Sequence, residues 1–132
     1  GTTGFTEIYV RNDNGRLKLR ERKIAPAELE EILKELDLEK AETVTTGYGQ
    51  TFREISKNTI GFGKDYSAIY FDFENGIVQH IWLTGLFSID KEALTNTLHK
   101  VGQKWNLLLI DWNQTRPIDL LNTADINDYL TR

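Results

Sequence analysis

Apolar and polar positions along this chain alternate with a period of two in some stretches and about 3.6 in others, and each change of period marks a predicted element. The clearest stretch is 66–84. It runs SAIYFDF, then Glu74-Asn75-Gly76, then IVQHIWL. Two strand-like runs therefore meet at an Asn-Gly pair, which supplies the two positive-φ positions of a type I′ hairpin turn. A two-residue loop places Phe73 opposite Val78, Phe71 opposite His80 and Ile69 opposite Trp82, and these six side chains are the expected core face. The other face then carries Ala68, Tyr70, Asp72, Gln79, Ile81 and Leu83. It is apolar enough to predict partial cover by a helix or a partner.

The same reading extends to both sides. Phe5–Arg11 is a predicted strand, Asn12–Gly15 a turn cluster, and Arg16–Lys23 alternates Leu17 and Leu19 against Arg16, Lys18, Arg20 and Arg22. Period two predicts that 16–23 is a strand, in a hairpin with the first. A helix is predicted from Pro26 to about Leu36, with proline in the first turn and Leu29, Ile32, Leu33 and Leu36 as its buried stripe. Thr43–Thr46 and Phe52–Ile55 are β-prone, and the glycines at 47, 49, 61 and 63 read as bends. Ser88 or Asp90 is placed to cap a second helix, Lys91–Trp105, whose stripe is Leu94, Leu98, Val101 and Trp105. Leu107–Trp112 reads as a buried strand and Asn113–Arg116 as a turn. Pro117–Leu121 reads as an edge strand, because proline cannot donate to a ladder. Thr123 is expected to cap a short last helix, Asp125–Leu130.

Strands in hairpins with few helices define an α+β fold: a mainly antiparallel sheet packed by two main helices and a short C-terminal one. The 132 residues fit a single domain, 1–132. Apolar residues at 39% and charged residues at 27% describe a globular chain. Leu107–Ile110, the longest aliphatic run, is far short of a membrane span. The N-terminus carries no secretory pattern, which points to the cytoplasm, and Gly1 in place of Met reads as a processed or engineered start. With no cysteine, the chain has no disulfide, no thiolate nucleophile and no cysteine-ligated zinc.

Few residues carry candidate chemistry. The only histidines are His80 and His99. His80 is placed by the expected register on the core face, as a base, a ligand or a packed imidazole, and His99 just off the second helix's stripe, toward solvent. Asp72, Asp111 and Asp119 each interrupt an apolar strand. Such carboxylates hold Mg²⁺ or serve as acid and base when they share a face. A four-residue loop pairs Trp112 with Pro117 and separates Asp111 from Asp119, whereas a five-residue loop pairs the two aspartates. The simpler reading is that they serve turns. No metal-ligand spacing, phosphate loop or nucleophile elbow is present, so no metal and no cofactor are expected.

Charge narrows the partners. A net charge of −4 disfavours nucleic acid, although five of the eight residues 16–23 are basic. Acids at 28, 30, 31, 35, 37 and 39 can neutralise that stripe within the fold, and no aromatics interleave it to stack bases. Trp112 and Asn113 with Arg116 are binding candidates, because Trp and Arg anchor interfaces. Tyr70 and Ile81 join them from the second face of the hairpin. The expected function is that of an acidic domain that binds another protein without catalysis, in the manner of an immunity or antitoxin-type inhibitor. The alternatives are a small hydrolase or ligand-binding protein built on Asp72, His80, Asp111 and Asp119, and a homodimer formed through the second hairpin face.

Overall fold

A computed structural model describes residues 5–10, 18–45, 52–55, 57–64, 67–85, 89–111 and 116–131. Their strands are β1 (Phe5–Val10), β2 (Thr43–Thr45), β3 (Phe52–Glu54), β4 (Thr59–Lys64), β5 (Ser67–Glu74), β6 (Ile77–Thr84), β7 (Leu107–Asp111) and β8 (Arg116–Asp119). The helices are α1 (Pro26–Leu33), α2 (Lys91–Trp105) and α3 (Thr123–Leu130). Six strands form one antiparallel sheet in the order β4-β5-β6-β1-β7-β8, and β2 and β3 form a second, two-stranded sheet. The fold is α+β.

The β5–β6 hairpin turns at Asn75 and Gly76, with φ of 53° and 76° as a type I′ turn requires. Phe73 faces Val78 as expected, but the register shifts between Asp72 and Phe73, and Gln79 bulges out of the ladder. From there Asp72 pairs with His80, Phe71 with Ile81, Tyr70 with Trp82 and Ile69 with Leu83. One extra residue moves every later side chain to the opposite face. Ile81 and Leu83 therefore enter the core, whereas His80 and Trp82 leave the face on which the expected register placed them.

The helical side of the sheet buries Ile8, Ile69, Phe71, Ile81, Leu83, Leu107, Leu109 and Ile118 against Leu29, Leu33, Leu94, Leu98, Val101 and Ile126 of the helices. Removing one such side chain costs about 2–5 kcal/mol. Asp90 caps α2, its carboxylate accepting from the Ala93 amide at 3.0 Å. The cap of α3 is Asn122, one residue before the expected Thr123. Its side-chain oxygen accepts from the Ala124 and Asp125 amides. His99 is half-buried where solvent was expected, and its Nδ1 lies 3.0 Å from the Leu120 carbonyl oxygen, tying α2 to the turn after β8.

Residues 18–23 do not form the expected strand. Residues 19–22 are a 3-10 turn, Lys23 has φ 52°, and Leu19 and Ile24 are buried. The reason lies in β1, which uses one edge for β6 and the other for β7. No edge remains for a strand at 16–23. Gly61 and Gly63 also depart from expectation, lying within β4 and not at bends.

On the far side of the sheet, the cover supplied by described residues lies over β5 and β6. The β2–β3 sheet stands over Ala68, Tyr70 and Trp82, with Ala41, Val44 and Ile55 completing a small second core. The Tyr70 and Trp82 rings stack with centroids 5.5 Å apart, and the Tyr70 hydroxyl donates to the Thr43 carbonyl at 3.0 Å. Gly61, opposite Tyr70, leaves room for that ring. A Cβ at 61 would meet Tyr70 Cδ1 at 2.3 Å. The cover predicted for this face is thus supplied by the chain's own strands.

Candidate functional site

Two features of the far side carry candidate function. The first is a dyad. Asp72 and His80 face each other across β5 and β6, with His80 Nδ1 3.0 Å and 3.1 Å from the two Asp72 carboxylate oxygens. The His80 side chain is 62% exposed and that of Asp72 28%. Donation from Nδ1–H to the carboxylate leaves Nε2 of the exposed ring for other partners. Thr59 pairs with Asp72 on the next strand. Beyond it Ala41, Ile55 and Ile60, rimmed by Lys40 and Glu42, line a shallow depression of about 590 Å³.

Asp111 and Asp119 stand apart from this dyad. β7 pairs with β8 so that Asp111 faces Arg116 and Leu108 faces Asp119, which is neither of the two expected registers. Asp111 alternates with buried Leu107 and Leu109 and lies on the helical side, next to Thr6 of β1. The Thr6 hydroxyl is in turn 3.2 Å from that of Tyr129 on α3. Asp119 is on the far side, but β6, which carries His80, and β8 are separated by β1 and β7. Three interstrand steps of ~4.8 Å exceed the reach of a side chain. The four residues of the expected hydrolase pocket therefore form one dyad and two separate aspartates. Asp119 serves a turn, its Oδ1 accepting from the Leu121 amide at 2.9 Å. Among the described residues no three His, Asp or Glu side chains gather as a metal-binding group.

The binding candidates are placed as follows. Tyr70 is 0% and Ile81 1% exposed, one under the β2–β3 sheet and the other in the main core, so neither offers a surface to a partner. Leu83 and Ala68 are buried with them, which removes the face expected to support a homodimer. Trp112 and Asn113 lie outside the described residues, and Arg116 opens β8. In the basic segment, Arg20 and Lys23 line a cleft with Glu21, Glu74, Asn75, Ile77 and Gln79, so its cations stand among acids.

The second feature is a strip formed by β1, β7 and β8 beside the β2–β3 cover. Leu107, Leu109 and Asp111 point to the helices, so Leu108 and Ile110 point away from them and are half-buried. Cross-strand pairing places Glu7, Ile110 and Pro117 in one row, and Tyr9, Leu108 and Asp119 in the next. Tyr9 is half-buried, Pro117 is exposed, and Leu121 just past the strand is 42% exposed. Among the described residues, neither core cluster includes Tyr9, Leu108 or Ile110. The sequence hid this strip. A run of Leu-Leu-Leu-Ile shows no alternation, so both faces of β7 read as interior.

Among the described residues no helix is long and apolar enough to cross a membrane. Comparison with protein families, with curated proteins and with solved structures returned no match.

Proposed function

We propose that this protein works in the cytoplasm by binding another protein, without catalysis, through the strip of Tyr9, Leu108, Ile110 and Pro117. The observation that carries the reading is the unequal cover of one sheet face. Its β5–β6 half is closed by the chain's own strands, whereas its β1–β7–β8 half presents the half-buried Tyr9, Leu108 and Ile110, which among the described residues join neither core cluster. Apolar surface of this kind, rimmed by polar groups, is characteristic of interaction sites. The net charge of −4 fits a basic partner. An inhibitor that covers a basic site on its target is the concrete form of this reading.

The test is a photo-crosslinking residue placed at Leu108 or Ile110, with a control at Lys104 on α2, in the protein expressed in its native cell. A single crosslinked partner from 108 and 110 and none from 104 supports the reading. Equal crosslinking from all three positions, or from none, rejects it. The dyad supports a second reading, a small-ligand site beside the Ala41–Ile55–Ile60 depression. That reading expects a ligand that raises the melting temperature of the native protein and leaves that of His80→Ala unchanged.

A further inference from the structure

We infer that the cleft between the 3-10 turn 19–22 and the β5–β6 turn binds a small zwitterion of the α-amino acid class. Charge is the first observation. From the sequence, the acids at 28–39 are available to neutralise the basic segment, but in the fold they are committed elsewhere. Glu28 pairs with Lys104 at 3.5 Å, Glu30 with Lys40 at 3.6 Å, Glu31 with Lys34 at 3.9 Å and Glu35 with Lys100 at 2.6 Å. Among the described residues Arg20 and Lys23 make no ion pair and no side-chain hydrogen bond, and both are exposed. Arg22 between them is half-buried, and its Nε is buried with no hydrogen-bond partner. These cations therefore keep their charge uncancelled on an acidic protein.

The second observation is that this charge borders a formed cleft. Side chains three apart on a 3-10 turn lie on one side, so Arg20 and Lys23 stand together. With Glu21, Glu74, Asn75 and Gln79 they line a cleft of about 460 Å³. The backbone that carries them is fixed. Leu19 and Ile24, on either side of the turn, are buried in the main core, and the Val78 amide of β6 donates to the Ile24 carbonyl at 2.9 Å. Gln79 is the residue that bulges out of the β5–β6 ladder. Bulges recur beside active sites because they re-aim a side chain, and this one delivers Gln79 to the cleft.

The third observation selects the ligand. Two unpaired cations call for an anion, and a guanidinium beside an ammonium suits a carboxylate. Yet the same cleft carries two acids. The Glu21 carboxylate accepts from the Lys18 amide at 3.3 Å, whereas the exposed Glu74 side chain has no partner among the described residues. Opposite charges thus face one cleft without closing it. A phosphate dianion or a nucleic-acid strand would meet Glu21, Glu74 and the net charge of −4. A zwitterion answers both signs, with its carboxylate on Arg20 and Lys23, its ammonium on Glu74, and the Asn75 and Gln79 amides beside them.

The experiment titrates isotope-labelled protein with alanine, the dipeptide Ala-Ala, propionate, ethylamine and inorganic phosphate. Alanine or Ala-Ala is expected to shift the amides of Lys23, Asn75, Gly76 and Gln79 with a Kd of ~1 mM, within reach of so small a ligand. Preference for alanine assigns the site to a free amino acid and preference for Ala-Ala to a peptide, and either upholds it. Propionate and ethylamine, each with one charge, should bind at least about threefold more weakly. Arg20→Gln and Glu74→Gln, both at exposed positions, should each weaken the zwitterion about three- to fivefold, whereas Lys34→Gln at the end of α1 should leave it unchanged. Salt supplies a check without mutation, because binding should weaken as ionic strength rises. No saturation by ~10 mM, phosphate or propionate binding as tightly as the zwitterions, shifts centred outside the cleft, or binding untouched by both variants overturns the inference.

Discussion

Gly61→Ala tests the architecture of the far side with a single methyl group. A Cβ at that position would lie 2.3 Å from Tyr70 Cδ1, 2.6 Å from Tyr70 Cε1 and 3.1 Å from the Ala41 side chain. The ring cannot retreat, because it stacks on Trp82 at 5.5 Å, its hydroxyl is held by the Thr43 carbonyl, and the residue is fully buried. Overpacking of this kind costs ~1–3 kcal/mol. Replacing glycine inside a strand by alanine returns ~0.5–1 kcal/mol through chain entropy, so the net loss expected is ~1–2 kcal/mol. For 132 residues, at an unfolding entropy of ~2.1 cal/mol/K each, that corresponds to a fall in Tm of ~4–7 °C. The assay is urea denaturation of Gly61→Ala alone and in a Tyr70→Ala background, compared as a double-mutant cycle. With the ring removed, the methyl should become neutral or slightly stabilising. A Gly61→Ala protein as stable as the parent, or an equal loss in both backgrounds, would refute the packing argument.

Three further outcomes are expected. Asp111→Ala should lower stability by ~2–3 kcal/mol, because it empties a buried polar position beside Thr6, whereas His80→Ala should cost under ~1 kcal/mol as befits an exposed cross-strand pair; calorimetry of the two variants checks the contrast. Gly76→Ala forces a side chain to adopt φ 76° and should cost ~1–2 kcal/mol, read as a lower urea midpoint with unchanged slope. Asp125→Ala should release the Asp119 amide, costing ~1–3 kcal/mol and unsealing the β8 edge, which light scattering at high concentration would report as new association.

What was legible in the sequence was local. The Asn75-Gly76 turn, the stripe of α2 and the proline-marked edge strand each follow from a few adjacent residues. Their structural counterparts lie within a residue or two of the expected bounds. What was not legible depended on residues far apart in the chain. Arg16–Lys23 shows the alternation of a strand, yet β1 had already committed its two edges to β6 and β7. His80 was placed on the core face because nothing in IVQHIWL signals a bulge. Asp111 and Asp119 could not be separated without knowing the β7–β8 register. The strip itself was masked by the uniform apolarity of Leu107–Ile110, whose two faces differ only in what lies above them.

Gln79 has a consequence for how this chain should be compared with any other. Along β5 the interior residues keep one parity, 69, 71 and 73, but along β6 they change parity, from 78 to 81 and 83. The strand is written in two frames joined at one residue. An alignment that matches hydrophobic alternation without a gap at 79 will place 80–84 one residue out of step. It will equate His80 with an interior position and Ile81 with an exterior one. A relative lacking that residue would run its alternation unbroken and present the same side chains to the same faces.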